Sequence, residues 1–252
     1  MKIIAWHSTA LCKVCTSADL RVVGQKDFSV SCNSAPLPQT QIPIIYYRCA
    51  TCGFLFTPAF DDWQVEDFKE HIYNAEYALV DPEYELARPM REAHRVINRL
   101  AVLPDILSVL DYGGGNGQFA KTLRDHGCNA ICYDPLVPEF AELPYGTSDL
   151  VTCFECIEHV PEPHYAANLM ANLVKQNGVI HVMTGLTDQS WPDISTLNWW
   201  YVAPRNGHVS IHSRQSITHL FAEYGMQVDF IADNQMLAYR EKPEWYEAYR
   251  NG

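Results

Sequence analysis

The 252 residues are enough for one full-size domain and a small module, and 48% of them are apolar, which provides for a core and excludes wholesale disorder. A formal charge of −12 argues against a chain that wraps nucleic acid or lies on an anionic membrane. The charge is uneven: residues 1–60 carry five Lys/Arg against two Asp/Glu, so the acidic excess lies downstream.

The apolar run at 3–6 is broken by His7 and is too short for the core of a signal peptide, and no apolar stretch is long enough to span a bilayer. A cytoplasmic location with no membrane partner is expected, and the nine cysteines are then thiols or metal ligands rather than disulfides. Cys12-Lys-Val-Cys15 and Cys49-Ala-Thr-Cys52-Gly53 are two CxxC pairs 33 residues apart, which together supply the four thiolates of a tetrahedral structural zinc site. Gly53 suits the tight turn after the second pair. Short β-like runs at 20–23, 28–30 and 44–48 surround a Pro-rich connection at 35–43, giving a zinc-ribbon-like module over residues 1–60. Cys32 lies between the pairs as a spare thiol. A domain too small to build its own core needs such a staple.

Residues 61–103 read as a helical connector or lid, with a short amphipathic helix ending near Tyr73 and a long one over 83–102, where Pro89 marks a kink or the true start. Tyr73, Tyr77 and Tyr84 form an aromatic patch able to cover a ligand or to serve as half-buried packing.

Residues 104–242 alternate strand and helix, ahead of a tail at 243–252. Strands fit at 106–111, 130–133, 149–154, 178–183, 227–231 and 235–240, and helices at 117–126, 162–175 and 213–224. The pattern predicts an α/β, Rossmann-like, doubly wound and mostly parallel sheet with one antiparallel C-terminal strand, preceded by the zinc-ribbon module. The first strand ends on Asp111 and runs into Gly113, Gly115 and Gly117, with a helix immediately after. A dinucleotide fingerprint would require Gly or Ala where Gln118 stands. Asp111 at the strand tip would also repel a pyrophosphate at the helix N-terminus, and instead suits a cationic ligand carrying an amino group and a sulfonium. Asp134 ends the next strand, where an acid can take both hydroxyls of a ribose.

In this pattern, and in the stretch from Leu143 through Phe154-Glu155-Cys-Ile-Glu158-His159-Val160, the chain resembles class I S-adenosylmethionine-dependent methyltransferases over about residues 105–240. The resemblance implies that the glycine turn wraps the methionine part of S-adenosylmethionine beside Asp111, that Asp134 holds the ribose, and that Phe154 and Glu155 lie over the cofactor. Only 14 residues separate Asp134 from Asp149, so the usual third strand and its helix are shortened; Leu136, Glu142 and Leu143 are the candidates for the adenine pocket. Cys153-x-x-Cys156 sits on a buried strand and its exit and reads as packing.

The methyl acceptor is expected at Trp199-Trp200-Tyr201 and the following Arg205, Asn206 and His208, with Tyr77 a further contributor and Ser213 the cap of the next helix. This segment is similar to one in sugar C-methyltransferases that also carry a cysteine-rich zinc domain. Their Glu-His-Val-Ser motif is matched here by His208, Val209 and Ser210, with Gly207 in place of Glu, and their large C-terminal domain is missing from the sequence. A histidine suits the removal of a proton from a hydroxyl or an acidic C–H, and His208 is the first candidate for a general base, His159 the second. The resulting expectation is methyl transfer from S-adenosylmethionine to a small-molecule or glycan acceptor, on oxygen or carbon. An RNA or protein methyltransferase docking through the zinc module is the alternative; it is disfavoured by the acidic balance and by Phe154-Glu-Cys-Ile where amino-methylating enzymes carry an Asn-Pro-Pro-Tyr-like tetrad. A non-enzymatic zinc-ribbon interaction protein would not need Asp111, the glycines and Asp134 together.

Overall fold

A computed structural model describes residues 11–35, 37–103, 107–190 and 197–252. The apolar run at 3–6 and Ile106, at the start of the expected first strand, lie outside the described residues. In chain order the elements are β1 (Leu20–Asp27), β2 (Pro43–Cys49), β3 (Leu55–Phe56), α1 (Val65–His71), α2 (Tyr77–Val80), α3 (Ala87–Leu100), β4 (Ser108–Tyr112), α4 (Gln118–Asp125), β5 (Asn129–Tyr133) and β6 (Ser148–Phe154). They continue as α5 (Pro163–Leu173), β7 (Val174–Met183), α6 (Thr187–Ser190), β8 (Ser210–Ile211), α7 (Arg214–Ala222), β9 (Gln227–Ala232), β10 (Gln235–Tyr239) and α8 (Tyr246–Asn251).

The chain groups into two units, each assembled from separated stretches: residues 1–82, 157–166 and 184–223 form one, and residues 83–156, 167–183 and 224–252 the other.

The second unit carries a six-stranded sheet in the order β5-β4-β6-β7-β10-β9. β4 to β7 pair in parallel, and β10 runs antiparallel to both β7 and β9, so the α/β, mostly parallel fold with one reversed C-terminal strand is the observed one. A single 3-10 turn at Pro138–Phe140 replaces the usual third strand and leaves β5 at the sheet edge. Four of the five residues of β4 are buried, and α4 turns Phe119, Ala120 and Leu123 inward at helical spacing onto a core shared with Ala93 and Val96 of α3 and Tyr246 and Tyr249 of α8. Pro89 stands in the first turn of α3, where its missing N–H has no intrahelical partner to lose, so it marks the start of that helix rather than a kink.

The first unit carries an antiparallel sheet in the order β1-β2-β3-β8. The strand expected at 28–30 is a turn instead. Asp27 Oδ1 accepts from the Ser29 N–H (2.9 Å) and the Ser29 hydroxyl (2.6 Å), a local bond that competes with continuing the ladder. Phe28 then turns inward against Phe60 and Trp63, with ring centroids 6.2 and 6.3 Å away. β8 arrives from far downstream, pairing Leu55 with Ile211 and Phe56 with Ser210. Among the described residues no helix is long and apolar enough to cross a membrane.

Candidate functional site

In the sheet unit, Asp111 and the glycine turn stand at the C-terminal end of β4, where open α/β sheets take their ligands. The chain reverses here through left-handed backbone at Gly113 and Gly117, and neighbours forbid a side chain at either: a Cβ would lie 2.1 Å from Cys156 Sγ at Gly113 and 2.7 Å from the Phe140 ring at Gly117. At Gly115 the same construction meets nothing within 4 Å, so the middle of the turn is open on that side. The Gly115 N–H donates to Asp134 Oδ2 (2.8 Å), and the Leu136 N–H to Asp134 Oδ1 (2.8 Å), which fixes the carboxylate at the tip of β5. Asp134 is buried, and so is Asp111, which accepts from the Thr152 hydroxyl at 3.0 Å. Asp111 Oδ2 has no hydrogen-bond partner among the described residues. Burial, reinforced by the charge of Asp134, pushes the Asp111 carboxyl up to about 7.

Phe154 ends β6, with its ring against Phe119 (5.5 Å) and His181 (4.8 Å). Glu155 follows in left-handed backbone at φ 48°, an arrangement costly for a residue with a side chain, while its N–H donates to the Met183 carbonyl (2.8 Å). Asp111, Gly113, Gly115, Gly117, Asp134, Phe154 and Glu155 thus all fall in this one unit. Gln118 opens α4, within the helix expected over 117–126.

The other unit brings together His159, His208 and Tyr201, and with them Glu158, which motif reading passed over. Glu158 is fully buried; its Oε1 accepts from the Tyr201 hydroxyl (2.5 Å) and its Oε2 from the Thr184 hydroxyl (3.0 Å). His159 Nε2 lies 3.9 Å from Glu158 Oε1. One donor atom from each of Glu158, His159 and His208 falls within 4.8 Å of the others, and the two imidazoles cross edge to face with centroids 4.8 Å apart. His208 Nδ1 is 2.7 Å from the Tyr201 carbonyl, which can only accept; Nδ1 therefore carries a proton, and in the neutral ring the lone pair is on Nε2. Both carboxylate oxygens of Glu158 accept from hydroxyls, so the cluster sets a hydrogen-bonded buried acid beside two imidazoles. The only signal for Glu158 in the sequence was its place in Glu158-His159-Val160.

The remaining acceptor candidates divide. Trp199 and Tyr201 are buried with ring centroids 5.1 Å apart, whereas Trp200 is 61% exposed. Arg205 is buried and its guanidinium is committed to the Ile72 carbonyl (2.8 Å) and Asn74 Oδ1 (3.0 Å). Tyr77 is buried against Tyr73, with centroids 4.9 Å apart; Tyr84 belongs to the other unit.

In the same unit as His208, the four cysteines of the two CxxC pairs converge with all sulfurs within 4.8 Å of one another. Sγ of Cys12 lies 3.6 Å from that of Cys52, and Sγ of Cys15 lies 3.5 Å from that of Cys49. A tetrahedron with metal–sulfur bonds of about 2.3 Å has edges of about 3.8 Å, so the spacing suits one Zn2+. The Val14 N–H points to Cys12 Sγ (3.4 Å) and the Cys52 N–H to Cys49 Sγ (3.5 Å), as knuckle backbones do toward thiolates.

A family model described as a methyltransferase domain matches residues 84–229, more than half of the chain. The chain is 31% identical over 108 residues to the ubiquinone biosynthesis O-methyltransferase of Erwinia tasmaniensis, covering 33% of this chain and 44% of that protein. Its counterpart from Sodalis glossinidius is 32% identical over 101 residues, 31% of this chain and 41% of that one. The chain thus spans less than half the length of these relatives. Among solved structures, an O-methyltransferase family protein of Burkholderia thailandensis superposes with a TM-score of 0.48 at 19% identity, covering 72% of this chain and 64% of that one. A second Burkholderia thailandensis protein, a 1,6-didemethyltoxoflavin-N1-methyltransferase with 1,6-didemethyltoxoflavin and S-adenosylhomocysteine bound, gives a TM-score of 0.46 at 16% identity over 69% of this chain and 84% of that one.

Proposed function

Because this chain belongs to the methyltransferase-domain family, we propose that it is an S-adenosylmethionine-dependent enzyme that methylates a small molecule at a hydroxyl or an acidic C–H. The observation that carries the reading is the turn between Asp111 and Asp134: two buried carboxylates flank a glycine turn that is open at Gly115, and one of them has an oxygen without a hydrogen-bond partner among the described residues. Such a site repels pyrophosphate and fits a ligand with an ammonium, a sulfonium and a ribose. In this reading Asp134 holds the ribose hydroxyls, the Gly113–Gly117 turn the methionine part and Asp111 its positive charge, while Phe154 and Glu155 border the site. When bound, S-adenosylmethionine supplies a methyl group already activated by the sulfonium, so the chain's own contribution is to position the acceptor and to take its proton.

Proton removal falls to His208. The Tyr201 carbonyl holds the Nδ1–H tautomer and leaves Nε2 basic, and the buried Glu158 beside it favours the imidazolium that forms. Gly207, where the resembling sugar enzymes carry Glu, has left-handed backbone, and a Cβ there would lie 3.2 Å from His159 Nδ1; Glu158 brings a carboxylate to His208 from another segment. The similarity to ubiquinone biosynthesis O-methyltransferases supports an oxygen acceptor. One structural Zn2+ at Cys12, Cys15, Cys49 and Cys52 completes the reading.

Calorimetry with S-adenosylhomocysteine is expected to show one binding site per chain, and labelled methyl groups are expected to reach a member of a panel of phenols and sugars; a protein that binds no cofactor overturns the assignment. His208→Gln is expected to keep cofactor affinity within about twofold and to lower turnover by about a hundredfold, the ordinary worth of a general base. Wild-type turnover in that variant would remove the base role.

Asp111 adds a pH signature. Its folded value of about 7 lies above the ordinary carboxyl value of about 3.9, so the ligand-free protein holds an extra proton relative to the unfolded chain. Its contribution to stability is complete below about pH 4 and is lost as pH rises through about 7. A cationic ligand reverses the preference and expels that proton. Calorimetry at pH 6.5 in buffers of different ionisation enthalpy is expected to report release of a fraction of a proton on cofactor binding, and Asp111→Asn to abolish it. Equal release in wild type and variant would place the charge elsewhere.

A further inference from the structure

The segment that carries His208 is not an independent loop. From His208 to Ser213 it is laid along the second cysteine knuckle, residue after residue, within one unit. The His208 carbonyl accepts from the Tyr46 hydroxyl (2.8 Å), and the Val209 carbonyl from the Thr57 N–H (3.0 Å). Ser210 and Ile211 pair with Phe56 and Leu55 as β8 against β3. Ser213 Oγ then donates to the Cys52 carbonyl (2.5 Å). The knuckle itself closes through the Gly53 N–H to the Cys49 carbonyl (2.9 Å). On the opposite side the Val209 N–H donates to the Glu158 carbonyl (2.9 Å), and Ser210 Oγ donates to the Val160 carbonyl (2.6 Å). The strand that ends on Cys49 and leads into the knuckle is therefore bonded to the backbone of the histidine, and the histidine segment in turn to that of the buried carboxylate.

Tyr46 is the point where this chain of bonds reaches His208. It sits on β2 three residues before Cys49, is fully buried, and spends its hydroxyl on the peptide of His208, 162 residues away in sequence. Burial pushes its phenol upward, so it stays a donor at any working pH. That hydroxyl is bonded to the peptide of the residue that carries the imidazole. We propose that Tyr46 is a positioning residue for His208, through which metal in the Cys12–Cys15–Cys49–Cys52 cluster orders the base. The proposal rests on the reading of His208 as the base. It gives the metal a second role beside stability, namely holding the transfer-competent pose of a residue that does not touch it.

The test uses Tyr46→Phe in the full chain, which keeps the ring and removes only the hydroxyl. Metal content and the Co2+–thiolate absorption of the cobalt-loaded protein are expected to match wild type, and cofactor affinity to stay within about twofold. Turnover is expected to fall by about tenfold to a hundredfold with little change in the acceptor KM, as misplacement of a reacting group does. The direct readout is the His208 imidazole signal in 15N-histidine-labelled protein, assigned by its loss in His208→Gln: one Nδ1–H tautomer in wild type, an exchange-broadened signal in Tyr46→Phe. In wild type, stripping the metal with a chelator is expected to broaden the same signal and Zn2+ to restore it, which decides the matter even if Tyr46→Phe fails to fold. A His208 signal unmoved by both the substitution and metal removal overturns the proposal. Wild-type turnover in His208→Gln would instead overturn the base role, with the imidazole signal still reporting whether Tyr46 and the metal order the segment.

Discussion

Replacing Asp134 by Ala is expected to weaken the binding of S-adenosylmethionine and S-adenosylhomocysteine by about a hundredfold or more, with the far-ultraviolet circular dichroism unchanged. The carboxylate serves in two directions. Toward the protein it accepts from the Gly115 and Leu136 N–H groups, both at 2.8 Å, and so ties the glycine turn to the tip of β5. Toward the ligand it is the acid at the position that takes both ribose hydroxyls. Two hydrogen bonds to a charged acceptor are worth about 1.5 to 3 kcal/mol each, so their loss amounts to about 3 to 6 kcal/mol, or two to four powers of ten in affinity. Asp134→Asn keeps an acceptor without the charge and is expected to fall between wild type and Ala. Calorimetry decides: an Asp134→Ala protein with wild-type affinity would mean that the cofactor does not use this strand tip.

The second large effect concerns the cysteines. Cys52→Ser is expected to lose bound zinc, measured by elemental analysis, and to lower the melting temperature of the protein by ten degrees or more. Zinc at four thiolates contributes about 10 to 16 kcal/mol of apparent binding free energy in small zinc domains, and a missing thiolate forfeits a large share of it. Complete unfolding is not expected, because the unit also buries Phe54, Phe56, Phe60, Ile44 and Ile72, and Phe54 stacks on Phe56 with centroids 5.2 Å apart. The expected signature is selective. Methyl transfer falls by at least about tenfold, since Ser213 is bonded to the Cys52 carbonyl and β8 to β3. Cofactor affinity holds within about twofold, because Asp111, the glycine turn and Asp134 belong to the other unit. A Cys52→Ser protein that keeps one zinc per chain, or one that loses transfer and cofactor binding together, would contradict this division of labour.

Which features could be read from the sequence follows from their range. Gly113, Gly115 and Gly117 are demanded by backbone geometry within five residues, and Asp111, next to last in β4, and Asp134, directly after β5, stand at the ends of strands whose apolar runs are visible on their own. Ser213 caps α7 reciprocally with Ser216, a signal spanning four residues. The paired CxxC spacing announced a shared cluster even across 33 residues, because thiols in that arrangement have few other uses. The β10 reversal followed from the short link after β9, which leaves no room for a crossover.

What was illegible has the opposite character. β3 and β8 are two residues each, too short for any periodicity, and exist only because each completes the other across more than 150 residues of chain. The Arg205 guanidinium, expected at a substrate wall, is buried on the Ile72 carbonyl and Asn74, an arrangement no spacing announces. Glu158 reads as an ordinary motif acid until Tyr201 and Thr184 close on it. Tyr46 reads as one more apolar-strand tyrosine until its hydroxyl meets His208. The sequence alone determined the parallel sheet, the glycine turn with its two acids and the cysteine cluster, because turns, strand tips and CxxC knuckles are specified by neighbours a few residues apart. Only the tertiary structure decided which side chains face His208 and which strand carries it, because those contacts are chosen by packing between segments far apart in the chain, where the cost of burying a hydroxyl, a carboxylate or a strand edge unpaired selects the partner.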